Sequence, residues 1–193
     1  TFSFEFIGLD EQSLLLDKKN FNKELSNIPK AFTQHVFQNE HSVGSHKSIK
    51  YYRPLLTVSF IIDEHFSTGE KNYTCPVHQE VQLKQPGKCI KCGNELIKKP
   101  RFYSHRLSNM IIHFSAVIGL LFVFQQMKIP QAMSFFLSLL FAVHPLLTQA
   151  IAWIPGRNDS LVCMFVLWSF YFLLNYFQKR SRRDFALHLL LFA

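Results

Sequence analysis

The second half of this chain is built from apolar runs whose length suits a lipid bilayer better than a water-soluble core. Met110 to Met127 is apolar apart from His113, Ser115 and its closing glutamines. Extended back through Leu107, it reaches the roughly 20 residues a helix needs to cross the hydrocarbon. Ala132 to Ile154 forms a second run, Leu161 to Phe177 a shorter third, and Phe185 to Ala193 opens another. We therefore expect membrane helices over about 105–127, 131–154 and 160–178, and a further one starting at 185. The expected fold class is mainly α: polytopic membrane helices, preceded by an extracytoplasmic loop region that carries amphipathic helices and a small metal-knuckle insertion.

A mean hydropathy of +0.07 conceals this division, because the first half is polar and the second is dominated by Leu, Phe, Ile, Val and Ala. The formal net charge is +8, yet the lysines are scattered along loops without the aromatic and basic interleaving of a nucleic-acid face, so no nucleic-acid partner is expected. The charge instead reads as solvation and membrane-flank signals. Lys179, Arg180, Arg182 and Arg183 cluster after the third run, and short basic loops lie on the cytoplasmic side. Met127 to Gln131 is then cytoplasmic too, with Pro130 opening the next helix where its missing N–H costs nothing. The loop Pro155 to Asp159 and residues 1–104 fall on the opposite face. The expected setting is an integral protein of a bacterial inner membrane. Because the chain opens at Thr1 without a charged n-region and signal core, it is expected to be a piece of a longer protein.

Residues 1–69 read as an extracytoplasmic loop region with surface helices. Asn27, Ile28 and Pro29 mark a turn into a short amphipathic stretch, and Pro54 stands at an allowed first-turn position of a helical pattern that runs to Phe66. Asp63, Glu64 and His65 make that stretch too polar to span, so it is expected along the membrane surface.

Residues 70–98 form a different unit. Cys75-Pro-Val-His78 and Cys89-Ile-Lys-Cys92, joined by a polar spacer, supply three thiolates and one imidazole, a closed tetrahedral set for a soft or borderline divalent cation. A closed shell points to a structural role. The alternative is a disulfide between two of these cysteines, which leaves the third unpaired.

Taken in order, Asn27-Ile-Pro-Lys-Ala-Phe-Thr-Gln, Tyr51-Tyr-Arg-Pro-Leu-Leu-Thr-Val-Ser-Phe, Tyr103-Ser-His105 with Asn109 and His113, and Phe141-Ala-Val-His-Pro-Leu-Leu-Thr-Gln-Ala-Ile-Ala-Trp-Ile-Pro-Gly-Arg-Asn-Asp-Ser-Leu resemble the N-terminal part of polytopic GT-C glycosyltransferases of the protein O-mannosyltransferase-like kind, with transmembrane and tetratricopeptide regions. The resemblance implies transfer of a mannose-like sugar from a polyprenyl-phosphate donor in the bilayer to a protein or glycan acceptor on the extracytoplasmic side. It places the general base at Asp10 and Glu11, although the family usually has two adjacent aspartates there. The same pair also reads as a solvated acidic patch. The resemblance further implies that Arg157 pairs with the donor phosphate, that Arg53 touches a headgroup or that phosphate, and that His144 and Asp159 help orient the substrate or the acid. Against this, Gly156 to Asp159 can simply turn the chain and cap a helix, and His105, Asn109 and His113 can form interhelical hydrogen bonds. Cys163 reads as a packing residue. Leu147 and Gln149 stand where the family usually offers a histidine and an acidic residue, which bears on catalytic competence.

The cysteine module resembles the heavy-metal-binding domain attached to copper-transporting ATPases and metal-efflux adaptors. Val77 and Asn94 replace the methionines common in that domain, and soft thioethers are what select copper(I), so zinc is the expected metal. The expected function is thus a membrane glycosyltransferase with an inserted metal knuckle, this piece being inactive alone. The alternative is a non-catalytic membrane metal-binding or metal-sensing protein on the same scaffold.

Overall fold

The computed structural model describes residues 14–15, 17–36, 51–67, 73–75, 77–78, 80–98 and 103–192. Helices dominate it. Short helices α1 (Lys19–Asn22) and α2 (Ile28–Ala31) precede α3 (Pro54–Phe66). A three-stranded antiparallel sheet, β1 (Tyr73–Thr74), β2 (Gln82–Leu83) and β3 (Ile97–Lys98) in the order β2-β1-β3, then leads to α4 (Tyr103–Gln126), α5 (Gln131–Val143), α6 (Thr148–Ala152), α7 (Arg157–Lys179) and α8 (Arg182–Phe192).

Two helical stretches, Tyr103–Gln126 and Ile154–Lys179, are each long and apolar enough to cross a membrane, and the bent pair α5 and α6 makes a third span if counted as one. The expected 105–127 helix appears with its start two residues earlier. Its buried residues His105, Asn109, Ala116, Gly119 and Val123 recur at helical spacing on one stripe, which faces the neighbouring helices. α7 packs parallel to α4 along this stripe. Polar pairs mark the contact from end to end: Arg157 with Asn109, Trp168 Nε1 donating to Ser115 Oγ at 3.1 Å, and Gln126 Nε2 donating to Asn175 Oδ1 at 2.9 Å. Without water to compete, such bonds hold helices in register.

The 131–154 run is not the single straight helix expected from its hydropathy. α5 ends at Val143, and the chain resumes as a 3-10 turn, Pro145–Leu147, and then α6, bent by 48°. Pro145 is the cause. Its ring excludes the helical continuation at the preceding residue, and His144 is accordingly extended at φ −65° and ψ 127°. The region expected as a loop, Pro155 to Asp159, is also more ordered than that: Ile154–Gly156 is a 3-10 turn, and Arg157 to Asp159 form the first turn of α7.

Tight turns close the opposite end of the bundle. Lys128 (φ 62°) and Arg180 (φ 54°) adopt left-handed backbone, the conformation that ends a helix and reverses the chain. α8 then returns against α7, where Ser169 and His188 share a hydrogen bond of 2.7 Å.

The loop region has its own apolar nucleus. Leu14, Leu15, Val36, Leu56 and Phe60 pack with Ile154, and Leu161 of α7 lies against them. α3 turns Leu56, Thr57, Phe60, Ile61 and Asp63 inward and leaves Leu55, Ile62 and Phe66 exposed.

Gly119 sits where α4 packs tightly on α7, since a Cβ there would meet Leu167 Cβ at 3.3 Å and Trp168 Nε1 at 3.4 Å. Gly119→Val should push the helices apart and cost about 1–3 kcal/mol. Thermal unfolding of the full-length protein in detergent should show a lowered Tm, with Gly119→Ala affected less.

Candidate functional site

Two polar constellations stand out from this apolar architecture: the cysteine and histidine knuckle, and a sealed cluster around Arg157.

In the knuckle, the small sheet brings the two ligand pairs together. Tyr73 pairs with Leu83 and with Lys98, so β1 forms the middle strand, and Cys75 follows it directly. The N–H of Cys75 donates to the Val81 carbonyl and that of Val81 to His78, which folds the first pair back on itself. In the second pair, Cys89 N–H donates to Asn94 O while Gly93 N–H donates to Cys89 O. Gly93 holds φ +73°, a left-handed turn that glycine adopts freely. Cys75, Val81, Cys89 and Leu96 form the module's core, with Tyr73 against it.

One ligand atom from each of Cys75, His78, Cys89 and Cys92 falls within 4.8 Å of the others. Cys75 Sγ is 3.4 Å from Cys92 Sγ and 3.9 Å from His78 Nδ1, and Cys89 Sγ is 3.8 Å from the same nitrogen. A tetrahedral ion with bonds of about 2.0–2.3 Å requires donor separations of about this size, so the residues fit a metal. All four cysteines are free thiols. Burial pushes the Cys75 thiol up, but the N–H groups of His78 and Val77 and the neighbouring thiols outweigh it and leave the thiol below its ordinary value. Cys89 behaves likewise, burial being outweighed by the N–H groups of Lys91 and Cys92. Asn94 N–H lowers Cys92, yet burial and the other two sulfurs hold it above. Three thiols crowded together resist full ionisation, and a cation is what relieves that resistance.

The second constellation was only half legible beforehand. Arg157, expected on a loop, is fully buried at the start of α7. Its Nε donates to Asn109 Oδ1 at 2.6 Å, its Nη1 to Ser59 Oγ at 3.0 Å and its Nη2 to the His105 carbonyl at 2.7 Å. Nη2 also lies 2.6 Å from Asp63 Oδ2, and the guanidinium rests 4.8 Å from the centre of the Phe60 ring. Ser108 Oγ donates to Asp63 Oδ1. Asn109 spends its amide on the Ile151 and Trp153 carbonyls, at the break after α6. Burial pushes the Asp63 carboxyl above its ordinary value, against the pull of Arg157 and Ser108.

Asp63 is the residue sequence reasoning missed, because a carboxylate near a helix end reads as solvation. Its spacing from Phe60 and Leu56, at i−3 and i−7, puts it on the buried face, and that signal was available.

The other expected site residues are spread out. Arg53 is half-buried at the N-terminus of α3, its guanidinium 5.1 Å from the Tyr51 ring centre. His144 is exposed at the break after α5, where its Nδ1 accepts the Leu146 N–H at 3.3 Å. Asp159 is exposed in the first turn of α7, near that helix's positive end. Asp10 and Glu11 lie outside the described residues, as do the joins on either side of the knuckle at 68–72 and 99–102. His105 and Asn109 join the Arg157 cluster, while His113 Nε2 lies 3.2 Å from the Ala142 carbonyl.

Comparison with known proteins bears on both constellations. Residues 72–99 match the heavy metal binding domain family. The chain is 30% identical to human protein O-mannosyl-transferase TMTC2 over 167 residues, covering 82% of this chain and 15% of that protein. It is 27% identical to human protein O-mannosyl-transferase TMTC3 over 165 residues, or 83% of this chain and 14% of the relative. Against human protein O-mannosyl-transferase TMTC1, identity is 37% over 70 residues, 36% of this chain and 8% of the relative. The chain thus spans about one-seventh of the length of the first two. No solved structure matches it.

Cobalt(II) added to the metal-free full-length protein should give the intense absorption of tetrahedral thiolate coordination. Cys75→Ser or Cys89→Ser should abolish it, and Cys163→Ser should leave it intact. At the other constellation, Asp63→Ala strands a buried guanidinium and should cost about 3–5 kcal/mol, read as a lowered Tm in detergent.

Proposed function

From the kinship of this chain with protein O-mannosyl-transferases, and from the heavy metal binding domain within it, we propose that it is the N-terminal part of a membrane glycosyltransferase of the GT-C type with an inserted metal module. The observation that carries this reading is the relationship along 82% of the chain, which runs through the loop region and the membrane helices alike. A mannose-like sugar moves from a polyprenyl-phosphate donor to a protein or glycan hydroxyl, and residues 1–104 face the extracytoplasmic side.

The chemistry asks little of the protein beyond placement and one proton transfer. As the acceptor oxygen attacks the anomeric carbon, its proton passes to a carboxylate of Asp10 or Glu11, and the sugar–phosphate bond breaks with the lipid phosphate leaving. Arg53, standing at the N-terminus of a surface helix beside an aromatic ring, has the position and fork geometry to meet that phosphate. His144 and Asp159, exposed on the same side of the bundle, are available to the sugar or the acceptor. The metal module carries zinc, with Cys75, His78, Cys89 and Cys92 as its ligands. It shapes or regulates the loop without taking part in the reaction, because a closed four-ligand shell offers no open position to a substrate.

The heavy metal binding domain also favours a second reading, a non-catalytic metal sensor on a transferase scaffold. Incubating the full-length protein with labelled polyprenyl-phosphate mannose and an acceptor separates the two. The transferase reading expects transfer, reduced about 10²–10⁴-fold by Asp10→Ala and retained in part after chelation. No transfer, together with growth defects confined to metal excess, supports the sensor.

A further inference from the structure

We propose that Asp63 and Arg157 are positioning residues: their buried ion pair seats the extracytoplasmic loop, residues 14–36 together with α3, on the ends of α4 and α7. In doing so it fixes the register of Leu14 and Leu15, the described residues that follow the proposed general base most closely in the chain. The inference rests on the transferase reading for its catalytic consequence, but not for its structural content.

Four observations carry it. First, the loop is tied together internally. Asn22 Nδ2 donates to Leu14 O, Asn27 Nδ2 to Phe21 O, Lys18 Nζ to His35 O and Tyr52 Oη to Phe32 O, and Val36 N–H donates to Tyr51 O. The segment therefore moves with α3, not independently of it.

Second, the polar link from this unit to the membrane helices converges on one place. Ser59 and Asp63 of α3 meet Arg157 of α7, and Asp63 also takes the Ser108 hydroxyl of α4. Beside it lies an apolar attachment, Leu14, Leu15, Leu56 and Phe60 against Ile154 and Leu161. Apolar packing permits sliding, whereas an α7 guanidinium held by four partners from α3 and α4 admits one register.

Third, Arg157 is closed to substrate. Its side chain is 0% exposed and each of its three nitrogens already has a protein partner. A donor phosphate could reach it only by displacing the Asp63 carboxylate.

Fourth, Leu14 and Leu15, buried in that apolar contact, stand only three and four positions after Glu11. A shift of α3 is transmitted to them through Phe60, whose ring stacks under Arg157 and also packs in the same cluster. Misplacing a reacting group by about 1 Å can cost about 100-fold in rate, so a device that sets register has catalytic weight without touching the substrate.

The test uses full-length protein in detergent with Asp63→Asn, Arg157→Lys and the double variant, and takes two readouts. Hydrogen–deuterium exchange should rise about tenfold or more over 14–36 and 54–66 while 110–126 and 160–179 stay protected. In parallel, kcat should fall about 10- to 100-fold with the donor KM within about twofold, and the double variant should be no worse than the poorer single one. Should Arg157→Lys fail to fold, Asp63→Asn and Ser108→Ala carry the same comparison. A raised donor KM with loop exchange unchanged overturns the proposal in favour of direct phosphate contact. Unchanged exchange and unchanged kcat reduce the pair to local packing. If the wild-type protein transfers no sugar, the transferase reading falls, and exchange alone decides whether the pair seats the loop.

Discussion

The structure depends on one guanidinium taken out of water. Burying a charge in this setting is costly unless it is paired, and Arg157 is met by Asp63 and Ser59 from α3 and by Asn109 and the His105 carbonyl from α4. Each of those groups is held in turn. Ser108 binds the carboxylate, and Asn109 spends its amide on the Ile151 and Trp153 carbonyls where the chain breaks before α7. A polar network of this kind is stabilising only when complete, so the surface helix, the two long apolar helices and the broken segment between them are required in one arrangement.

The knuckle obeys a different rule. Its strands are two residues long and its core is four small or medium side chains, too little apolar area to hold a fold by burial alone. Its ligand atoms are nonetheless brought within reach of one ion. Metal coordination is the ordinary way such a module gains stability, because the ligands lose little further freedom on binding once turns have placed them. In chain order the module lies between α3 and α4, the two helices joined by Asp63 and Ser108.

How much was legible beforehand varied with how local the governing physics is. The helices over Tyr103–Gln126 and Pro54–Phe66 and the four metal ligands follow from run length, proline position and Cys/His spacing, all of which act within a few residues. The 131–154 run misled because hydropathy is blind to backbone, and Pro145 breaks a helix regardless of how apolar its neighbours are. Asp63 was read by its charge and not by its phase. In isolation a charged residue near a helix end belongs in water, and only the helical spacing to Phe60 and Leu56 argues otherwise.

Sequence by itself determined that this chain carries membrane-length apolar helices, that a Cys/His metal module precedes the long ones, and that it is similar to protein O-mannosyl-transferases, since lipid solubility, ligand spacing and ordered motifs are properties of the string. Only the tertiary structure decided what Arg157 does. Its partners lie 48, 52 and 98 positions away along the chain, and no local pattern records which distant carboxylate a buried cation will find. That choice belongs to the packing of α3 against α4 and α7, which brings the guanidinium its partners from both neighbouring helices.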